Sequence, residues 1–144
     1  MSDTQSAASH AKMVPLFHYV AFALLLIPTI YFLKEALMAF SVGNLMSALF
    51  ALGVLLVFWF ARVFPLGVQD RVIRLEERMR LHRVLPADMH DRIEEIPTSL
   101  LIGLRFASDE ELTELTRRVF AGELADRKAV KAAVRSWRAD HQRI

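Results

Sequence analysis

The side chains that could do metal chemistry in this sequence do not occur at the spacings that such chemistry needs. His82 and His90 lie eight positions apart with Pro86 between them, and no other histidine is near them in the sequence. A zinc site takes three or four protein ligands, so this pair alone is a poor candidate. The sequence has no cysteine, which excludes thiolate ligands, a cysteine nucleophile and disulfide bonds. We therefore expect no metal ion and no cofactor.

Two pairs of adjacent carboxylates could in principle serve general acid–base chemistry. They are Glu76 with Glu77 and Glu94 with Glu95. Successive residues of a helix point in different directions, so we expect all four carboxylates to be solvated. No nucleophile or orienting base accompanies them, and the sequence therefore offers no catalytic residue to name.

Arginine is the functional group that this sequence concentrates. Residues 62–85 contain six arginines and no lysine. Three of them, Arg71, Arg74 and Arg78, recur at helical spacing, and we call them the arginine ridge. A guanidinium group can bind a carboxylate through two parallel hydrogen bonds, or it can hold a helix at an anionic lipid surface. The arginine ridge is our candidate interaction or membrane-interface site.

Two apolar stretches precede this ridge. No charged residue occurs in residues 13–33 or in residues 36–61. About 20 apolar residues in a helix cross the hydrocarbon core of a bilayer. Residues 16–38 and 44–64 are therefore predicted to form a transmembrane helical hairpin, which follows a polar tail at residues 1–15. Two buried core helices are the alternative, but the rest of the chain is too short to enclose them.

The basic residues around the two spans predict their orientation. The six arginines of residues 62–85 lie at and after the end of the second span, whereas the hairpin carries a single Lys34 and Lys12 precedes the first span. Since basic residues accumulate on the cytoplasmic side, we expect both termini in the cytoplasm and a multi-pass protein.

Small residues in the second span predict close helix packing. Ser47 and Ala51 are four residues apart and share one helical face, where another backbone can approach. The neighbour is either the first span of the same chain, which we favour, or a second copy of the chain.

An amphipathic helix is predicted just after the second span. Val68, Val72, Leu75 and Met79 are spaced by four, three and four residues, and we call this stripe the apolar seam. Pro65 and Gly67 predict a kink before it and leave open whether the helix is continuous with the span. The seam could face its own domain, a second copy or another protein, and we favour its own domain.

Short helices are predicted for the rest of the chain, at about 87–95, 98–104, 109–121 and 127–137. Ser108 and Glu111 have the spacing of a capping box, and Asp126 is placed to cap the last helix. Trp137 is expected on the apolar face of that helix, in the core. The fold class is thus all-α: a two-helix transmembrane hairpin, an amphipathic juxtamembrane helix and a small cytoplasmic helical domain within residues 65–144.

Three phrases of the sequence resemble a known family. They are VQDRVIRLEERMRL, LRFASDEEL and RKAVKAAVRSWRADHQRI, which begin at Val68, Leu104 and Arg127. The chain resembles a family of small bacterial two-span membrane proteins that is known only as a domain of unknown function. The resemblance implies a bacterial inner-membrane location and transfers no activity or catalytic residue.

Together these features predict a membrane-anchored protein-interaction module or an accessory subunit of a membrane complex, without catalytic activity. The expected partners are the lipid bilayer and another membrane or cytoplasmic protein. A self-assembling, homo-oligomeric structural protein is the alternative. A membrane enzyme and a membrane-tethered nucleic-acid binder fit less well, because no catalytic constellation and no base-reading pattern is present.

Overall fold

The structure, a computed structural model, describes residues 13–139. The predicted polar tail at residues 1–15 therefore lies almost wholly outside the described residues. Within them the chain is all-α, as predicted, with one isolated β-bridge and no strand. The elements are a π-helical segment Leu16–Ala21, α1 Phe22–Met38, α2 Val42–Val84, a 3₁₀ helix Ala87–Glu95, α3 Thr98–Leu104, α4 Asp109–Phe120 and α5 Arg127–Ala133.

Two helical stretches are long and apolar enough to cross a membrane. They are Leu16–Met38 and the helix Val42–Val84, whose apolar part is its first half. Almost none of their apolar residues is buried within the chain, and side chains such as Leu24, Phe50 and Trp59 are exposed. Within the described chain these helices are therefore not buried as core helices would be.

The helix α2 runs without interruption through Pro65. A proline inside a helix removes one backbone hydrogen bond, that to the carbonyl four residues earlier. Extending a helix that already exists avoids the cost of nucleation, so α2 tolerates this loss together with Gly67. The question that the sequence left open is thus answered in favour of one continuous helix. The described chain nevertheless divides into two compact units between Pro65 and Leu66.

The unit that starts at Leu66 has one apolar core. Its buried side chains come from every element between α2 and α5: Leu81, Leu85, Met89, Ile93, Ile96, Leu100, Leu101, Leu104, Ala107, Leu112, Leu115, Leu124 and Val130. Phe106 is also buried, with 1% of its surface exposed. The C-terminal half of α2 is therefore part of this domain.

Proline delimits the segment after α2. The predicted helix at 87–95 has the expected bounds, but it is a 3₁₀ helix that follows Pro86. Ile96 precedes Pro97 and is extended, with φ −72° and ψ 118°, because the proline ring disfavours helical backbone before it. The short helix predicted after Pro97 is confirmed as α3.

Helix α4 starts where expected but without the predicted capping box. Ser108 is its N-cap residue, yet the Ser108 side chain makes no capping hydrogen bond and the hydroxyl has no partner within the described residues. The Glu111 carboxylate instead accepts hydrogen bonds from the backbone N–H groups of Arg135 (3.0 Å) and Ser136 (3.1 Å). The Glu111 carboxylate therefore ties a distant segment to α4 instead of completing a capping box.

Helix α5 is shorter than predicted. Its cap is confirmed, since the Asp126 carboxylate accepts a hydrogen bond of 2.7 Å from the backbone N–H of Ala129. The helix ends at Ala133, however, and the chain continues extended towards Trp137, which forms an isolated bridge with Ala107. Trp137 is half-buried and its ring stacks on Phe106 at 4.5 Å, so it contacts the core from outside any helix.

Candidate interaction surface

The apolar seam is exposed on the surface of the domain. The exposed fractions are 61% for Val68, 48% for Val72, 62% for Leu75 and 66% for Met79. The expectation that this seam packs on its own domain is therefore wrong. At 100° per residue the four side chains lie within an arc of about 60° on the helix.

The opposite face of α2 is the one that enters the domain. Ile73 and Leu81 are buried there, with 6% and 0% of their surfaces exposed. Two charged residues, Glu77 and Arg80, share this face and are each 5% exposed. The buried face of the helix thus combines apolar and ionic side chains, while a purely apolar stripe remains outside, which is unusual for an amphipathic helix.

Arg80 is the centre of the buried ionic cluster. Its Nη1 donates to a carboxylate oxygen of Glu77 at 3.1 Å, and its Nη2 donates to the backbone oxygen of Ala107 at 2.7 Å. Nε and Nη2 both contact Oδ1 of Asp109, at 2.7 and 2.6 Å. A single guanidinium group therefore joins α2 to the start of α4 and sets the rotation of α2 about its own axis.

Burial and charge act in opposite directions on the two acids of this cluster. Desolvation raises the pKa of Glu77 above its ordinary value of 4.5, although the attraction of Arg80 and of Arg138 opposes this rise. Nη1 of Arg138 lies 3.8 Å from Glu77. The hydrogen bond from Arg80 lowers the pKa of Asp109 below its ordinary value of 3.8. Desolvation opposes this but is the smaller effect, because the Asp109 carboxylate remains largely in water.

Sequence reasoning missed this cluster. Glu77 was expected to be solvated, whereas it is buried and its carboxylate accepts a hydrogen bond from Arg80. The sequence does contain a pattern that indicates this cluster. One helical face carries two ionic residues between two apolar ones, in the order Ile73, Glu77, Arg80 and Leu81.

The three residues of the arginine ridge have different surroundings. Arg78 contacts Glu94 twice, since its Nη1 lies 2.6 Å from the carboxylate and its Nη2 donates to the backbone oxygen at 3.1 Å. Arg71 is exposed and Arg74 is half-buried, and neither makes an ion pair or side-chain hydrogen bond within residues 13–139. The ridge is therefore one arginine bound to the domain, one half-buried arginine and one exposed arginine.

In the apolar unit, Ala51 is buried and Ser47 is half-buried. The Ser47 hydroxyl donates to the backbone oxygen of Gly43 in its own helix at 2.9 Å. Ala48 is more buried than either, with 2% of its surface exposed. The small-residue face therefore includes Ala48 together with Ala51, and the packing role of Ser47 and Ala51 remains a prediction.

The two histidines considered for metal binding do come together. The rings of His82 and His90 are 5.1 Å apart and meet edge to face, and a ring nitrogen of His90 lies 2.9 Å from the backbone oxygen of Leu85. Within residues 13–139 no group of three or more histidine, aspartate or glutamate residues could hold a metal ion.

This architecture defines an all-α protein with two helices long and apolar enough to cross a membrane, and with a helical domain that leaves an apolar seam uncovered. The chain belongs to a family of unknown function, DUF6526, which it matches over residues 1–144. The resemblance to a family of unknown function is thereby confirmed. No curated protein and no solved structure matches the chain.

Proposed function

We propose that this protein is a membrane-anchored protein-interaction module that serves as an accessory subunit of a membrane complex. The observation that carries the proposal is the exposure of Val68, Val72, Leu75 and Met79 along one side of α2. The other side of the same helix is bound by the domain through Arg80, so the helix cannot turn to bury the seam without breaking that contact. A contiguous exposed apolar stripe is typical of a surface that meets another molecule.

The anchor in this proposal is the pair of apolar helices. They cross a bacterial inner membrane as a hairpin, with the turn near Ser41 outside and the arginine-rich residues 62–85 on the cytoplasmic side. The uncovered apolar side chains of both helices support this placement. Reporter fusions check it: fusions after Arg83 and at the C-terminus should report the cytoplasm, and one at Ser41 the outside. An external C-terminal reporter would contradict the orientation.

The interaction itself is tested with Leu75→Asp. Because Leu75 is 62% exposed, an aspartate there should leave the fold intact, whereas it should prevent docking of an apolar partner surface. The wild-type protein and the variant are purified from native membranes, and the proteins retained with each, including a second tagged copy of the chain, are compared by mass spectrometry.

A matched control for this experiment is Lys128→Asp, which places the same residue on an exposed position of α5. Loss of a retained protein with Leu75→Asp but not with Lys128→Asp is the expected result. If both variants retain the same proteins as the wild type, the seam is not a docking surface.

A further inference from the structure

We propose that the apolar seam binds the seam of a second copy of this chain, as a short parallel two-stranded coiled coil. This inference rests on the proposed function, because it names the partner of the same surface. The spacing of four, three and four residues is that of alternating d and a positions of a heptad repeat, with Val68 and Leu75 at d and Val72 and Met79 at a. A β-branched residue at a followed by leucine at d, as in Val72 and Leu75, favours two-stranded association.

The domain leaves the coiled-coil positions open. In this heptad frame Ile73 and Arg80 occupy b positions, Glu77 an f position and Leu81 a c position. All four are buried, and b, c and f positions face away from a coiled-coil partner. The same helix can therefore bind its own domain on one side and a second copy on the other side, with no conflict between the two contacts.

Charge complementarity identifies the partner as a parallel second copy. Arg71 is at g and Glu76 is at the e position of the next heptad, so the two residues flank the seam on opposite sides. In a parallel pair, a g residue of one helix faces the e residue of the following heptad in the other helix. Arg71 would therefore meet Glu76 of the second copy, and by symmetry this ion pair would form twice. Both side chains are exposed and neither has an ion pair within residues 13–139.

The same pattern sets the end of the contact. The next g and e residues are Arg78 and Arg83, two cations that would repel each other in a second copy. Arg78 is instead bound to Glu94 of its own domain at 2.6 Å. The seam then stops at Met79, since the following core positions are His82 and Pro86.

Membrane anchoring compensates for the shortness of this seam. Four core positions are fewer than the three or four heptads that mark a stable coiled coil from sequence. Two copies anchored in one bilayer by the same helices are parallel, and their high effective concentration makes a weak contact sufficient. We therefore expect the association in membranes and its loss on dilution in detergent.

Cysteine cross-linking tests the proposal directly, because the natural chain contains no cysteine. Val72→Cys and Leu75→Cys are placed singly in the full chain and oxidised with copper phenanthroline in isolated membranes. Core positions of a parallel pair face their own copies, so both variants should form disulfide-linked dimers. The matched control is Arg74→Cys, which lies between them in sequence at a c position, and it should cross-link about tenfold less. Equal cross-linking at all three positions would indicate random collision and overturn the proposal.

Charge exchange tests the partner and its direction. In the Leu75→Cys background, Arg71→Glu or Glu76→Arg alone should lower dimer yield about fivefold, since two ion pairs become two repulsions. The two changes together should restore the yield, because the pairs are rebuilt with reversed sign. Residues 71 and 76 of one helix do not face each other, so an effect within one chain would not give this rescue. A double variant as weak as the single ones would overturn the parallel pairing.

Labelling with a maleimide reagent separates failure of this inference from failure of the proposed function. If Leu75→Cys forms no dimer but is protected in native membranes and reactive in liposomes of the purified protein, another protein covers the seam. The second-copy inference then falls and the interaction function stands. If Leu75→Cys reacts as fast as Arg74→Cys in native membranes, both fall. Protection in liposomes that hold single copies would mean that the bilayer covers the seam, which also overturns both.

Discussion

Replacing Arg80 by methionine should unfold or nearly unfold the domain that begins at Leu66. Methionine keeps the apolar stem of the side chain but removes the guanidinium group, and it leaves the Glu77 carboxylate, 5% exposed, with the weaker attraction of Arg138, at 3.8 Å, and of Arg105. The backbone oxygen of Ala107 loses its 2.7 Å hydrogen bond at the same time. Breaking a buried ion pair by removing one partner costs about 3–5 kcal/mol. We expect a value near 3 kcal/mol, because Glu77 can escape part of the penalty by taking up a proton.

The assay uses the full chain in mild detergent, with Trp59→Phe as background so that fluorescence reports only Trp137. The Trp137 ring stacks on the buried Phe106, so its emission should change when the domain unfolds. With a denaturant slope of about 1 kcal/mol per molar urea, typical of a small domain, the midpoint should fall by about 3 M. A domain of this size has little stability to spare, so the variant is expected to be partly unfolded without urea.

Two further variants make this prediction specific. Arg83→Met removes an exposed arginine of the same helix that makes no ion pair within residues 13–139, and it should change stability by less than about 0.5 kcal/mol. Adding Glu77→Gln to Arg80→Met removes the stranded carboxylate and should recover more than about 1 kcal/mol. The reasoning fails if Arg80→Met is no more harmful than Arg83→Met, or if Glu77→Gln gives no recovery.

Three more predictions follow from the same domain. At pH 7 the single variant Glu77→Gln should be at least as stable as the wild type. Burial raises the pKa of Glu77, so its contribution is complete below pH 4.5 and is lost as the pH rises through the folded-state pKa. The advantage of glutamine should therefore disappear in urea titrations below pH 4.5. Gly103→Ala should destabilise by about 1–3 kcal/mol, because the new Cβ would lie 2.9 Å from Val130. A new Cβ in Gly67→Ala meets no atom within 4 Å, so this change should stabilise α2 by about 0.5–1 kcal/mol, and thermal melts of the two glycine variants compare them. Arg78→Lys should cost about 0.5–1 kcal/mol, because lysine cannot keep both contacts with Glu94.

The first two of these predictions have contradictory results of their own, and the third has a matched control. A Glu77→Gln variant that is less stable than the wild type at pH 7 would mean that the ion pair outweighs the desolvation of Glu77. Equal melting temperatures for Gly103→Ala and Gly67→Ala would show that Val130 moves away without cost. For the arginine ridge the control is Arg71→Lys, which should leave the stability of the domain unchanged because Arg71 has no ion pair within the described residues.

The elements that the sequence predicted correctly are those whose signals are local. Residues 16–38 form the expected apolar stretch, since length and the lack of charge alone define it. Pro97 and the turn after Leu104 delimit α3, and Asp126 caps α5 through a contact three residues away. Gly122 has φ 77° and ends α4, where the backbone N–H of Glu123 bonds the oxygen of Arg118.

The parts that could not be predicted depend on contacts between distant residues. Glu111 and Ser108 have the spacing of a capping box, but the carboxylate binds the backbone 24 and 25 residues later. Trp137 has helical spacing with Val134, yet the bridge to Ala107 draws the chain into an extended form. In both cases a local rule was overridden by a tertiary partner that the sequence pattern does not reveal.

The orientation of α2 is the strongest case of such an override, and it bears on function. Rotating this helix by half a turn about its axis would bury Val68, Val72, Leu75 and Met79 and place Glu77 and Arg80 in water. That rotation would bury four apolar side chains and release two ionic ones, which transfer free energies favour, but it would also expose Ile73 and Leu81, which are buried in the observed orientation. The observed orientation keeps Ile73 and Leu81 in the core, and Ala107 and Asp109 at the start of α4 offer Arg80 two acceptors at hydrogen-bond distance, in addition to Glu77 of its own helix. A buried ionic contact of this kind adds little net stability, but its geometry fixes direction. Proteins depart from the usual distribution of polar and apolar residues mainly where a function requires it. On the proposed function, the cluster around Arg80 is the device that holds the apolar seam outward, where a partner can reach it.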